Sequence, residues 1–428
     1  MMARQKRVAA GVLAFVLAFV LLHAPMALRA QTGSAPRTGD HWVTTWATAQ
    51  GLAPTRLPFG GGELVQPPPA ARVPATLRDQ TVRMIAHASL GGARVRVSLA
   101  NALEKPTLNV GAAHIALRAN AAAIVPASDR PLTFGGRPST VVPPGTLVVS
   151  DPVDLAVPAL ADLAVSVYLP EETGSPTVHP DGMHTAYITG GNATGSAALK
   201  ADATTTAYLW LAGVDVLAPA EAGAVVAFGD SITDGVGATL DSDHAWPSLL
   251  ASALATGGPA GPRSVVNVGL SGNRLLRPGF GVSALARFDR DVLAQGGATH
   301  VIVLESINDI GLARDNACPS AADIIAAHRQ LIERAHARGL KIFGATLTPF
   351  EGAAYWTKEG EVKRQALNDW IRTSKIYDGV VDFDAAVRDP SAPTKLQPQF
   401  NPGDNLHLTD AGYQAMANAI DLGLFKKK

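Results

Sequence analysis

Four short segments of this 428-residue chain carry groups suited to covalent chemistry at a carbonyl carbon. Gly229-Asp230-Ser231-Ile-Thr-Asp-Gly235 offers a hydroxyl, and Gly269-Leu-Ser-Gly272-Asn273-Arg274 offers flexible backbone. Glu305-Ser-Ile-Asn308-Asp309 offers an amide, and Asp404-Asn-Leu-His407 sets a carboxylate three residues before an imidazole. A serine hydroxyl is a poor nucleophile until a base takes its proton. Imidazole titrates in the right range for that task. A carboxylate on the same loop can accept the other ring N–H, fixing the tautomer and stabilising the imidazolium. Hydroxyl, imidazole, carboxylate, amide and backbone donors together make up the inventory for nucleophilic acyl transfer. Each segment alone has a plainer reading: Gly-Asp-Ser is often only a turn, Asn308-Asp309 can cap a helix, and Asp-x-x-His is usually a solvated loop. Their order and placement set them apart.

Placement depends on the elements that carry them. From about Ala220 onward, short apolar runs alternate with helical stretches. Ala224–Phe228, Ser264–Val268, His300–Leu304, Lys341–Thr346 and Gly379–Phe383 read as strands. Helical sequence follows from Trp246 and covers Ala321–Arg338, with Gly339 at its C-cap, and Glu359–Thr373. Thr409 caps a last helix containing Ala411–Ile420. Strands alternating with helices imply an α/β domain with a parallel sheet, whose active site sits at the carboxyl ends of the strands. The four segments follow such ends.

The preceding half reads differently. Ala93–Leu99 alternates apolar and polar residues with period two, and Ala164–Leu169 and Thr204–Val216 are similar. Turn clusters lie between such runs, at Gly60–Gly62, Pro67–Pro69, Gly135-Gly136, Pro143–Gly145 and Gly190-Gly191. The expected solution is an antiparallel, sandwich-like β domain.

The four segments, in this order, resemble the sequence blocks of the SGNH (GDSL-type) hydrolase superfamily. That resemblance implies a flavodoxin-like three-layer αβα fold and ester cleavage. It places the nucleophile at Ser231, with His407 and Asp404 as its partners, and an oxyanion hole at Ser231, Gly272 and Asn308. Ser306 stands where the family's third block usually has glycine. Upstream, His41–Trp46, Gln80–Arg83, Ser89–Gly92 and Leu99–Asn101 resemble the β-rich leader of a bacterial subgroup of secreted SGNH esterases, and Trp246-Pro247 fits it too. The expected organisation is a signal peptide over 1–30, a flexible start over 31–40, a β-rich domain over 41–219 and an SGNH hydrolase domain over 220–428.

Arg4, Lys6 and Arg7 precede the apolar run Val8–Leu22, and small residues lead to Ala30. This is the pattern of a signal peptide, and the run is shorter than the roughly 20 residues a membrane-spanning helix needs. The expected product is secreted or periplasmic, with no membrane span after cleavage. Equal numbers of basic and acidic residues, 36 of each, argue against a nucleic-acid partner. The single cysteine, Cys318, allows no internal disulfide. There is no His-Glu-x-x-His, Walker loop, dinucleotide fingerprint or Gly-x-Ser-x-Gly elbow. His179-Pro-Asp181-Gly-Met-His184 holds three potential metal ligands, but a solvated or structural loop is the preferred reading. No metal or cofactor is expected. Tyr355 and Trp356 either border the pocket or pack their own loop. The expected function is hydrolysis of short-chain, acetyl esters, with an acetylated polysaccharide or another small ester as substrate. The alternatives are a lipase or arylesterase of broader acyl range, and a non-catalytic glycan-binding protein.

Overall fold

A computed structural model describes residues 39–52, 73–102, 106–256, 261–312 and 318–426. The segment expected to be a signal peptide, residues 31–38 of the expected flexible start, the turn clusters at Gly60–Gly62 and Pro67–Pro69, and the last two residues lie outside the described residues.

Five strands, Gly223–Gly229, Arg263–Gly269, Ala298–Leu304, Lys341–Ala345 and Gly379–Val381, form one sheet. Every neighbouring pair is parallel, and in chain order the strands lie 2-1-3-4-5. The inner strand Gly223–Gly229 is buried along its whole length, which is why its sequence is an unbroken apolar run rather than an alternation. Helix Ala321–Ala337 begins with a reciprocal capping box between Ser320 and Asp323. It buries Ile324, Ala327, His328, Leu331, Ile332 and Ala335, one face at helical spacing. Thr357 caps helix Lys358–Thr373, and Thr409 caps helix Asp410–Asn418 by accepting the Gly412 N–H. The last strand is shorter than the sequence suggests, because Asp382 caps a helix that starts at Phe383.

Upstream, every strand pair among the described residues is antiparallel. One sheet is built on His41–Ala47, Leu211–Ala218, Gly92–Asn101 and Thr146–Val149, and a second on Ala186–Gly190, Gln80–Ala88, Ala161–Leu169 and Ala112–Asn120. The stretch Thr204–Val216 is not one strand. It divides into Ala203–Thr205, Tyr208–Leu209 and Leu211–Ala218, with Trp210 at φ 56°. The break lets the chain leave the second sheet, where Ala203–Thr205 pairs with Ala186–Gly190, and enter the first beside His41–Ala47.

The two halves share one core. Val43, Val97 and Val165 belong to the same buried apolar cluster as Val225, Leu331 and Tyr413. At the junction, strand Arg263–Gly269 is an edge of the parallel sheet. Its Val265 N–H donates to Ser89 Oγ at 3.0 Å, and Ser264 Oγ donates to the Thr44 carbonyl at 2.7 Å. Among the described residues, no helix is long and apolar enough to cross a membrane.

Candidate active site

Ser231 opens a one-turn helix, Ser231–Asp234, one residue after strand Gly223–Gly229. Asp230 caps that helix, its Oδ1 accepting the Ile232 N–H at 3.0 Å. Gly229 is required by close approach: a Cβ there would lie 2.2 Å from Thr233 Oγ1 and 2.3 Å from the Leu304 carbonyl oxygen. The strand therefore turns abruptly and holds Ser231 at its carboxyl end.

His407 lies across from it. Its Nε2 is 2.9 Å from Ser231 Oγ, and its Nδ1 is 2.6 Å from Asp404 Oδ2. The other Asp404 oxygen accepts the backbone N–H groups of Leu406 and His407, at 2.9 and 3.0 Å. Partial burial raises the Asp404 pKa, but the hydrogen bond and charge of His407 and the two amides outweigh it and bring the value down to about 2. An ionised Asp404 keeps the His407 proton on Nδ1 and leaves the Nε2 lone pair to the serine hydroxyl. Ser231 and His407 are buried, whereas the Asp404 side chain is 48% exposed.

Gly272 sits at φ 72°, and a Cβ there would lie 2.3 Å from the Phe280 ring. Both the left-handed backbone and the aromatic wall demand glycine. Asn308 lies in the short helix Ile307–Gly311, just beyond strand Ala298–Leu304. Its amide donates to the Asn273 carbonyl at 3.0 Å, and its carbonyl accepts the Tyr355 hydroxyl at 3.4 Å. These contacts fix the orientation of the amide and use only one of its two N–H bonds. Asp309 ties the Gly272 and Asn308 loops together by accepting the N–H groups of Leu275 and Leu276 at 2.6 and 3.0 Å. Buried Arg287 clamps the strand ends, donating to the carbonyls of Gly229 and Val268 and to Asn273 Oδ1.

Ser306 adopts φ 107°, the left-handed region, as the glycine it replaces would. Its hydroxyl meets His328 Nε2 at 3.1 Å, and His328 Nδ1 meets the Tyr377 hydroxyl at 2.6 Å. Burial holds the His328 pKa down at about 4, so the ring is neutral.

Asp230, directly before Ser231, and Glu305 are both fully buried acids. Burial pushes Asp230 up to about 7, against the pull of the Ile232 N–H and the charge of His407. Glu305 is pushed up well above the carboxylate range by burial and by the Asp230 charge.

The sequence-predicted Ser231, His407 and Asp404 thus form one hydrogen-bonded line, and Gly272 and Asn308 lie on loops tied to each other. The two histidines of the His179–His184 loop are buried rather than solvated, at 3% and 6% exposed, while the residues between them are half-buried. Both rings are engaged in ion pairs: His179 Nε2 is 2.8 Å from Asp234, and His184 Nε2 is 2.9 Å from Asp243. A separate trio, His87, Asp162 and Asp243, holds its donor atoms within 4.8 Å of one another, with Arg118 paired to Asp162. Tyr355 packs on Phe350 and reaches Asn308, so it borders the site. Arg287 and Asp234 escaped the sequence reading, which took Asp309 only as a possible helix cap. Asp309 was the most accessible of these, since it adjoins Asn308.

Residues 227–415 match the family model described as "GDSL-like Lipase/Acylhydrolase family". This segment belongs to the SGNH, or GDSL-type, hydrolases. The protein is accordingly a carboxylic ester hydrolase. A search of curated proteins finds no match. Among solved structures, this chain is similar to a lipolytic protein of the G-D-S-L family from Desulfitobacterium hafniense, with 21% identity and a TM-score of 0.36 over 46% of this chain and 96% of that one. It is similar to an acetylxylan esterase from Geobacillus stearothermophilus, with 22% identity and a TM-score of 0.38 over 48% of this chain and 95% of that one. It is also similar to the aryl esterase of M. smegmatis, with 15% identity and a TM-score of 0.37 over 46% and 95% of the respective chains.

Proposed function

We propose that this hydrolase is an exported serine esterase that removes short acyl groups, acetyl above all, from carbohydrate. The observation that carries the reading is the line Asp404–His407–Ser231, at 2.6 and 2.9 Å. Ser231 Oγ attacks the acyl carbon while His407 Nε2 takes its proton, and Asp404 stabilises the imidazolium. The carbonyl oxygen becomes an oxyanion held by the N–H groups of Ser231 and Gly272 and by the Asn308 amide. Collapse expels the alcohol, which receives the proton from His407. Water, activated by the same imidazole, then releases the acid and restores Ser231.

Two features support a short acyl group and a hydroxyl-rich alcohol. Phe280 lies against Gly272 and the Tyr355 ring lies against Gly311, which narrows the space beside the oxyanion donors. The Tyr355 hydroxyl and the carboxyl of Asp181, close enough to His407 for their charges to interact, supply polar groups at the site. The strand order 2-1-3-4-5 supports a flavodoxin-like reading of residues 220–428, preceded by a β-rich domain over 41–219 that shares its core. The basic and apolar start of the chain supports export.

Hydrolysis of p-nitrophenyl esters, with a Ser231→Ala control, and acetate release from acetylated xylan test the proposal together. Activity should fall steeply from acetate to octanoate, and acetate should be released. A profile rising toward octanoate without acetate release from any glycan supports the lipase alternative. Glycan binding with no serine-dependent hydrolysis supports the binding protein.

A further inference from the structure

The side chain of His179 belongs to the β-rich half, on strand Thr177–His179, yet it points at the hydrolase half. Its Nδ1 is 2.9 Å from the Ala49 carbonyl and its Nε2 is 2.8 Å from Asp234 Oδ1. A carbonyl and a carboxylate can only accept, so both ring nitrogens carry protons and His179 is a buried cation facing a buried anion. The pair is almost sealed from water, with each side chain 4% exposed.

The second oxygen of Asp234 accepts the Ser271 N–H at 3.1 Å and the Ser271 hydroxyl at 2.8 Å. Ser271 directly precedes Gly272. Asp234 also closes the one-turn helix that Ser231 opens. One carboxylate therefore touches the segments of both backbone donors assigned to the oxyanion hole.

We propose that the β-rich half is a working part of the active site: His179 fixes Asp234, and Asp234 fixes Ser271 and the Gly272 N–H where the oxyanion forms. His179 and Asp234 are positioning residues and do not touch the substrate. The inference rests on the esterase mechanism above. Oxyanion donors act only when held at hydrogen-bond distance from the developing charge, and a displacement of about 1 Å can cost on the order of 100-fold in rate. Replacing one partner of a buried ion pair leaves the other charge uncompensated, so the loop should shift.

The test uses the full chain and compares His179→Ala, His179→Gln and Asp234→Asn with the parent, each normalised by fluorophosphonate titration of Ser231. With p-nitrophenyl acetate, kcat should fall about 10- to 100-fold in His179→Ala and Asp234→Asn while KM stays nearly constant. Affinity for a trifluoromethyl ketone, whose adduct places an oxyanion in the hole, should fall by the same factor. His179→Gln keeps an N–H donor toward Asp234 and should recover part of the loss. If His179→Ala does not fold, the other two variants decide. Unchanged kcat in Asp234→Asn, or a rise in KM with kcat intact, overturns the proposal. An inactive parent whose Ser231 resists the fluorophosphonate overturns the esterase reading instead.

Discussion

His407 and His179 each face an aspartate at hydrogen-bond distance, but the second ring nitrogen meets a different neighbour. In His407 it meets a hydroxyl, Ser231 Oγ, which can both donate and accept. In His179 it meets the Ala49 carbonyl, which can only accept. The aspartates differ as well, since Asp404 is half exposed and Asp234 is sealed. The first arrangement lets a proton move across the ring, while the second locks two protons in place. The same pair of residue types thus makes a proton-transfer device in one setting and a fastening in the other. The neighbour of the free nitrogen decides which.

The largest effects should come from breaking the proton-transfer pair. Ser231→Ala and His407→Ala should each lower kcat by about 10⁴-fold or more, and the double variant should be little worse, because the two act as a unit. Asp404→Asn should be less damaging than His407→Ala, since Asp404 orients the ring and stabilises its charge. Steady-state kinetics on p-nitrophenyl acetate check both, and an Asp404 variant slower than His407→Ala would reverse these roles. Next in size is the oxyanion hole. Asn308→Ala should reduce kcat about 10²- to 10³-fold with little change in KM. The fastening pair should follow, at the smaller loss given above.

A third pair on the same loop should affect stability alone. His184 lies 2.9 Å from Asp243. Burial works against its charge, but the approach of Asp241 at 3.5 Å, the hydrogen bond to Asp243 and the charges of Asp243 and Asp162 raise its pKa to about 9. A folded value raised above the unfolded one, about 6.5, makes the contribution complete below pH 6.5 and lost as pH rises through about 9. The melting temperature should therefore decline across that window. His184→Gln should flatten the decline and leave kcat at neutral pH close to the parent. An unaltered slope would show that His184 carries no charge in the fold.

The chain's own pattern made the proton-transfer pair readable. Asp404 and His407 are three residues apart, and Ser231 follows closely on the apolar run Ala224–Phe228, which reads as a buried strand. Gly272 and Asn308 follow similar runs. The fastening pair was hidden, because His179 and Asp234 are 55 residues apart and join only when the two halves meet. The same limit explains the misread stretch Thr204–Val216: its alternation is genuine, but nothing local marks Trp210 as the point where the chain changes sheets. Ser306 is the reverse case. Its position within the third segment was clear, but the chain gave no sign that a buried histidine would hold it in a glycine's conformation.

The hydrogen bonds from Val265 to Ser89 and from Ser264 to Thr44 have a bearing on how this protein can be cut. An edge strand with free N–H and C=O groups is a template for pairing with other chains. Here the β-rich half supplies acceptors to the outermost parallel strand at two consecutive residues. The hydrolase half expressed alone would present that strand bare, next to apolar surface that Val43 now covers. Such a fragment should self-associate rather than remain a smaller enzyme. In a lineage that trades parts by recombination, the heritable unit is then the joined pair, because the first half serves as the stopper for the second.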